Sequence, residues 1–290
     1  MRYNVDKYTK RRRANSMIRI IDHDDALSIA CSVSEFIFGM GYCEYKIPFY
    51  VGGIKPPRHM ESEIRKADGR IGHGMEEKIE AEKIEKGEIE MLTKEEIFTR
   101  LPDIDANIAF AREDIITKLF FKTKIDERDI DLVLTGRADK VSRENGYLVV
   151  YEDKFPRNPV DYVKKSAPFG SQILQALVYL NSKFKKKDTT ITLEDMWECK
   201  DIRKLADVSK SFEIPHRYKK WVVNIRDKYA DNNIVKTFDG IQTEQDKTYL
   251  EGNLYRFIGL VLGQKEKVHH NSIRKCSPCE YAPICKFSLI

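Results

Sequence analysis

Asp139 and the tripeptide Glu152-Asp153-Lys154 are the residues whose types and spacing point most directly to chemistry. On a strand, residues two apart project from one face, so Glu152 and Lys154 share a side. Glu144-Asn145-Gly146 reads as a hairpin turn. It folds the strand back on the one ending at Gly136-Arg137-Ala138-Asp139, which sets Asp139 beside the pair. Two carboxylates and an ammonium then converge at the end of an apolar strand. Clustered carboxylates repel, and a divalent cation relieves that repulsion. Oxygen ligands with open positions suit Mg²⁺ or Mn²⁺, and such an ion hydrolyses phosphodiesters by activating water and neutralising the leaving oxygen. Lys154 would orient the water or offset developing charge. Taken alone, a Glu-x-Lys pair is also an ordinary cross-strand ion pair of little energetic weight, so its companions carry the case.

One companion is His73, in Gly72-His73-Gly74. The flanking glycines weaken a helix but allow another group to approach closely. Gln175 and Tyr179 stand one turn apart on a helix after the Glu-x-Lys strand, hence on one face. They either contact a nucleic-acid backbone or steady Lys154. A separate group is formed by Cys276, Cys279 and Cys285, a C-x2-C-x5-C pattern stiffened by Pro278 and Pro283. Three thiols so close indicate a metal. Cys31, Cys43, Cys199, His269 and His270 are the candidates for a fourth ligand. Zinc commonly takes four cysteines, or three with a histidine, usually from two local pairs, and here only one is present.

The elements that must position these groups follow from periodicity. Residues 25–42 read as an apolar element or helix leading to Cys43, and Glu61–Lys86 as a helix carrying His73. Ala106–Phe120 has Ile108, Ala111, Ile115 and Leu119 at helical spacing. Leu132, Leu134 and Ala138 outline one strand, and the β-branched Tyr147–Tyr151 a second. Phe169–Phe184 reads as an amphipathic helix, Thr189–Leu193 and Phe212–Ile214 as short strands, Lys219–Tyr229 and Thr248–Leu262 as helices. This order predicts an α/β core with a mixed central sheet flanked by helices. Over 1–290 we expect one domain, its catalytic core at about 61–195, a cysteine-stapled subdomain from 31–50 and 265–290, and a possible insertion at 185–245.

Composition sets the outer bounds. With 41% hydrophobic residues the 290-residue chain can bury a core and is not of a disordered class. Lys and Arg number 51 against 46 Asp and Glu, a net +5 too small to argue for nucleic acid by itself. Basic runs at Lys10–Arg13 and Lys183–Lys187 contrast with the acidic stretch Glu76–Glu90. No apolar stretch reaches the roughly 20 residues that span a bilayer, and Met1–Arg13 lacks a secretion-signal core. We therefore expect no membrane association and a cytoplasmic, reducing location, where cysteines serve as ligands or packing more than as disulfides.

The order His73, Gly-x-x-Asp139, Glu152-x-Lys154, Gln175-x-x-x-Tyr179 resembles the RecB-type branch of the PD-(D/E)xK nucleases. The cysteine layout resembles the CRISPR-associated RecB-like iron–sulfur exonucleases and the AddB nuclease domain. That resemblance implies a restriction-endonuclease-like fold, with His73, Asp139, Glu152 and the Asp153 carbonyl as metal ligands. It makes Lys154 catalytic and has Gln175 and Tyr179 shape the DNA site. It further implies a [4Fe–4S] cluster on Cys43, Cys276, Cys279 and Cys285, leaving Cys31 and Cys199 as buried thiols. The function implied is exonuclease action on single-stranded DNA or DNA ends, alongside CRISPR integration or repair proteins. A non-catalytic DNA-binding subunit is the reading from another class, and it requires an incomplete acidic site.

Overall fold

The computed structural model describes residues 17–87, 109–112, 115–186 and 219–290. Among the described residues, ten strands form two five-stranded sheets. The first contains β1 (Arg19–Asp22), β2 (Ala26–Ser32), β5 (Arg128–Arg137), β4 (Ile115–Ile125) and β8 (Lys183–Lys186), in that order across the sheet. The second contains β10 (Asn233–Ile241), β9 (Lys219–Asp227), β7 (Tyr147–Lys154), β6 (Lys140–Glu144) and β3 (Ala109–Arg112). Each sheet is antiparallel except at one join, β2 with β5 in the first and β7 with β9 in the second. The expected α/β class with mixed pairing holds, but as two sheets instead of one.

The chain crosses from one sheet to the other between Arg137 and Lys140, through Ala138 and Asp139. Gly136 makes that crossing possible: a Cβ there would lie 2.8 Å from Val33 Cγ2 and 3.0 Å from Tyr179 Cε1. Asp139 is thus placed at the seam between the sheets. The Glu144-Asn145-Gly146 turn joins β6 to β7, not β5 to β7 as the apolar pattern suggested, and Asn145 and Gly146 both take positive φ.

Among the described residues, six helices cover the sheets. They are α1 (Val33–Ile37, continued by a π-turn to Tyr42), α2 (Ile47–Val51), α3 (Met60–Glu85), α4 (Gly170–Leu180), α5 (Glu244–Val261) and the short α6 (Ile273–Cys276). A Ser32 capping box with Glu35 starts α1, and a Thr243–Asp246 box starts α5. The main core joins Leu27, Ile29, Leu132 and Leu134 of the first sheet to Leu148 and Val150 of the second, under Leu174, Leu177 and Val178 of α4 and Leu254 and Phe257 of α5.

Several expectations are corrected. Residues 26–32 are a strand, so only the second half of the 25–42 segment is helical. Ala106–Phe120 is not a helix where it is described: β3 and β4 occupy it, and β4 pairs with β5 over ten positions. Lys219–Tyr229 is not a helix either but β9, which contributes an uninterrupted buried run from Val222 to Arg226. A strand buried on both faces shows neither strand nor helix period. Helix α4 stops at Leu180, and Lys183–Lys186 pairs with β4. Within 185–245, β9 pairs with β7 and β10 with β9, so both belong to the second sheet. Thr189–Leu193, Phe212–Ile214, Lys10–Arg13 and Cys199 lie outside the described residues.

Candidate active site and cysteine–histidine centre

Strand β7 alternates as a pleated strand must. Leu148, Val150, Glu152 and Lys154 face the core and α4, while Tyr151 and Asp153 face outward toward Glu144 and Arg226. Glu152 is fully buried, at 0% exposure. Its Oε2 accepts from Lys154 Nζ at 2.6 Å, and Lys154 Nζ donates also to Gln175 Oε1 at 3.0 Å. Glu152 Oε1 has no hydrogen-bond partner among the described residues. A buried carboxylate oxygen left bare is costly. Asp139 Oδ2 accepts from the Asp153 backbone N–H at 2.9 Å, and Asp139 Oδ1 stands 3.9 Å from His73 Nδ1. His73 packs edge-on to Phe155, with ring centroids 4.8 Å apart.

Electrostatics reinforce the picture. Burial pushes the Glu152 carboxyl up to about 8, against the pull of Lys154, and Asp139 adds to the rise. Asp139 is raised as well, again by burial. For Lys154 burial works downward, but the Glu152 and Asp139 carboxylates outweigh it and hold the ammonium above its usual range. A site that strains to keep two carboxylates ionised is one a cation would relieve. Asp139 Oδ1 and the His73 ring stand side by side, and the bare Oε1 of Glu152 is buried next to the Lys154 ammonium. This is a mix of oxygen and imidazole donors of the kind a divalent ion takes, though their ligand atoms do not all lie within 4.8 Å of one another.

Of the residues singled out by sequence, His73, Asp139, Glu152, Lys154 and Gln175 come together. Tyr179 is 3% exposed beneath them, its hydroxyl pushed up by burial and by the nearby carboxylates. Its ring packs under Gly136 and the seam. The Asp153 side chain points away: its Oδ1 accepts from Asn224 Nδ2 at 3.0 Å and Arg226 Nε at 2.8 Å. Its carbonyl remains the only part of Asp153 the resemblance brings to a metal. Sequence reasoning missed Phe155, Asn224 and Arg226, the last two because β9 reads as a helix. A concavity of about 640 Å³ between Asp22–Asp25 and Asp126–Arg128 shares no residue with this site.

The second group lies where the ends of the described chain meet. Cys43, His269 and His270 place ligand atoms within 4.8 Å of one another. Cys276 Sγ lies 3.9 Å from Nε2 of both histidines. Desolvation lowers His270 to about 4, with His269 and Lys275 adding, so its ring is neutral and able to ligate near pH 7. Burial raises Cys43 to about 11 and raises Cys279. Such thiols ionise near neutrality only with a metal or a strong donor nearby. This cysteine–histidine cluster can hold a metal. Cys31, by contrast, is buried in β2 within the main core and its thiol is raised well above its ordinary value by desolvation.

The segment around these thiols is tied down by more than sulfur. Phe49 stacks on Tyr281 at 4.5 Å, and Tyr281 donates to the Ile54 carbonyl at 3.0 Å. Arg256 holds Glu44 through bonds of 2.5 and 2.8 Å, and Val268 N–H donates to the same carboxylate at 2.7 Å. No helix among the described residues is long and apolar enough to cross a membrane.

No protein-family model and no curated protein matches the chain. Among solved structures, that of a protein named SSO0001 is 13% identical over 93% of this chain and 90% of its own, with a TM-score of 0.42. A protein from Eubacterium rectale described as a "putative exonuclease" is 14% identical over the same shares, with a TM-score of 0.39. Overlap at that level decides neither fold nor activity, and function rests on the site itself.

Proposed function

We propose that this chain is a metal-dependent DNA exonuclease whose reaction centre is Asp139, Glu152, Lys154 and His73. The observation that carries the proposal is the fully buried Glu152, bonded to Lys154 through one oxygen and bare at the other, beside a second raised carboxylate. Mg²⁺ or Mn²⁺ bound there would polarise the scissile phosphate and acidify an attacking water. Asp139, Glu152 and His73 would hold the ion. Lys154, fixed by Glu152 and Gln175, keeps its ammonium at the reacting centre and offsets charge as the phosphodiester breaks. Gln175 acts by holding Lys154, and Tyr179 by supporting the seam from below.

The substrate we assign is single-stranded DNA or DNA ends, and the setting CRISPR adaptation or repair, both on the strength of the motif resemblance. For the second centre the same resemblance assigns a [4Fe–4S] cluster to Cys43, Cys276, Cys279 and Cys285. All four thiols influence one neighbourhood, since Cys276, Cys279 and Cys285 each act electrostatically on Cys43. Zinc on the cysteine–histidine set is the alternative occupant.

The test is digestion of end-labelled single- and double-stranded DNA with Mn²⁺, Mg²⁺ or EDTA, comparing the wild type with Glu152→Ala and Lys154→Ala. We expect metal-dependent cleavage that falls by about 10²–10³-fold in either variant, the scale of losing an electrostatic catalytic group. Wild-type rates in a folded Lys154→Ala protein would remove the nuclease assignment.

A further inference from the structure

Helix α3 brings His73 to the site, yet it is attached to the molecule in an unusual way. Its buried residues are Ser62, Gly72, Glu76 and Glu80, none with an apolar side chain. No residue of α3 belongs to the main hydrophobic core. Apart from the contact of Gly72 and His73 with the Phe155 ring, its position over the outer face of the second sheet is fixed by directional polar contacts, whose geometry is narrower than that of apolar packing.

Asp68 with Lys228 and Glu80 with Lys140 hold the helix further along, and around His73 the contacts meet at Arg226 of β9, itself 7% exposed. Its Nε donates to Asp153 Oδ1 at 2.8 Å, its Nη2 pairs with Glu76 Oε1 at 2.7 Å, and its Nη1 donates to the Asn232 carbonyl at 3.1 Å. Asn232 Nδ2 in turn donates to the Gly72 carbonyl at 3.0 Å and Glu76 Oε2 at 3.2 Å. Gly72 precedes His73, and Glu76 follows it by three residues, one turn along the same helix. One guanidinium thus joins the strand bearing Glu152 and Lys154 to the helical turn bearing His73. Its planar fork suits three simultaneous partners, which an ammonium could not serve with the same geometry. Strand β7 is held by ladders to β6 and β9, whereas the His73 turn rests on the Phe155 ring and on the Arg226 network, with the Asp68–Lys228 and Glu80–Lys140 pairs holding the helix on either side.

We infer that Arg226 is a positioning residue for the catalytic metal: through Glu76 and Asn232 it sets His73 against Asp139, and so sets metal affinity. The inference rests on the nuclease reading of the site. Losing a group that orients a metal ligand costs about 10–100-fold in affinity. An Arg226 that only stabilised the fold would lower the unfolding temperature and leave affinity unchanged.

The experiment is Mn²⁺ titration of metal-free full-length protein, followed by electron paramagnetic resonance. It compares wild type, Glu152→Ala, Arg226→Gln, Arg226→Lys, Asp153→Asn, His73→Ala and the His73→Ala/Arg226→Gln double variant. We expect Mn²⁺ dissociation constants raised about 10–100-fold in Arg226→Gln, less in Arg226→Lys, and a double variant no weaker than His73→Ala alone. Such non-additivity is the mark of two residues acting as one unit. Should Arg226→Gln fail to fold, Arg226→Lys and Asp153→Asn carry the same comparison from milder changes. Folded variants with wild-type Mn²⁺ affinity, or losses that multiply with His73→Ala, would overturn the inference while leaving the nuclease reading intact. A wild type that binds no more Mn²⁺ than Glu152→Ala overturns both.

Discussion

Glu152 shows how a single side chain can be read for chemistry. Its folded pKa of about 8 stands far above the ordinary 4.5, because burial penalises the anion more than Lys154 favours it. A carboxyl raised in the folded state contributes stability fully below its unfolded value, and that contribution is lost as pH rises through the folded value. Metal-free wild type should therefore fall behind Glu152→Gln progressively between pH 4.5 and 8. Thermal unfolding in EDTA should show nearly equal transitions at low pH and a higher one for Glu152→Gln at pH 8. Equal transitions at both ends would mean that water reaches the carboxylate. The pairing of Glu152 with Lys154 was legible, since two-residue spacing on a β-branched strand fixes a shared face. The opposite destiny of Asp153 was only half legible. Parity turns it away, but its partners Asn224 and Arg226 lie 71 and 73 residues on, in a segment whose buried run hides its strand character.

Helix α3 was the most readable element, its limits Met60–Glu85 falling within a residue of the periodic stretch. Its glycines separate by what surrounds them. A Cβ on Gly72 would meet the Phe155 ring at 2.4 Å, whereas Gly69 and Gly74 have nothing within 4 Å. In open helix positions Gly→Ala gains up to about 1 kcal/mol. At Gly72 the rigid ring must move, and overpacking costs about 1–3 kcal/mol. Denaturant unfolding should thus find Gly69→Ala and Gly74→Ala stabilised and Gly72→Ala destabilised. A stabilised Gly72→Ala would show that α3 sits further from Phe155 than the contact of His73 with that ring requires. The elements that misled, β4 and β9, share one physical cause. Both carry Ile, Val or Phe at spacings compatible with a helix, and pairing selects the strand: β4 with β5 across the two-residue Asp126-Glu127 turn, β9 with β7 far away in sequence.

Across the molecule, the two centres are built on different principles, and this makes them separable. The carboxylate site lies where the sheets meet, inside a core supplied by both. The cysteine–histidine centre lies where Phe38–Ile54 meets the final segment, which has little core of its own beyond Tyr281. Arg256 and Glu44 tie that junction by an ion pair whose arginine is half-exposed, and the stack of Phe49 on the buried Tyr281 is its main apolar contact. A metal shared between Cys43 and the C-terminal ligands would supply what apolar burial does not. Cys279→Ser should then release the metal and lower the unfolding temperature by at least ~5 °C, since 1 kcal/mol moves it by roughly 2–4 °C at this size. The residues of the carboxylate site would keep their contacts, so Mn²⁺ should still bind there. Metal analysis of the wild type decides the occupant. Iron with sulfide and a brown colour belongs to the cluster, whereas colourless protein with one zinc belongs to Cys43, Cys276, His269 and His270. If Cys279→Ser keeps both its metal and its stability, Cys279 is no ligand and the zinc set holds the chain ends together.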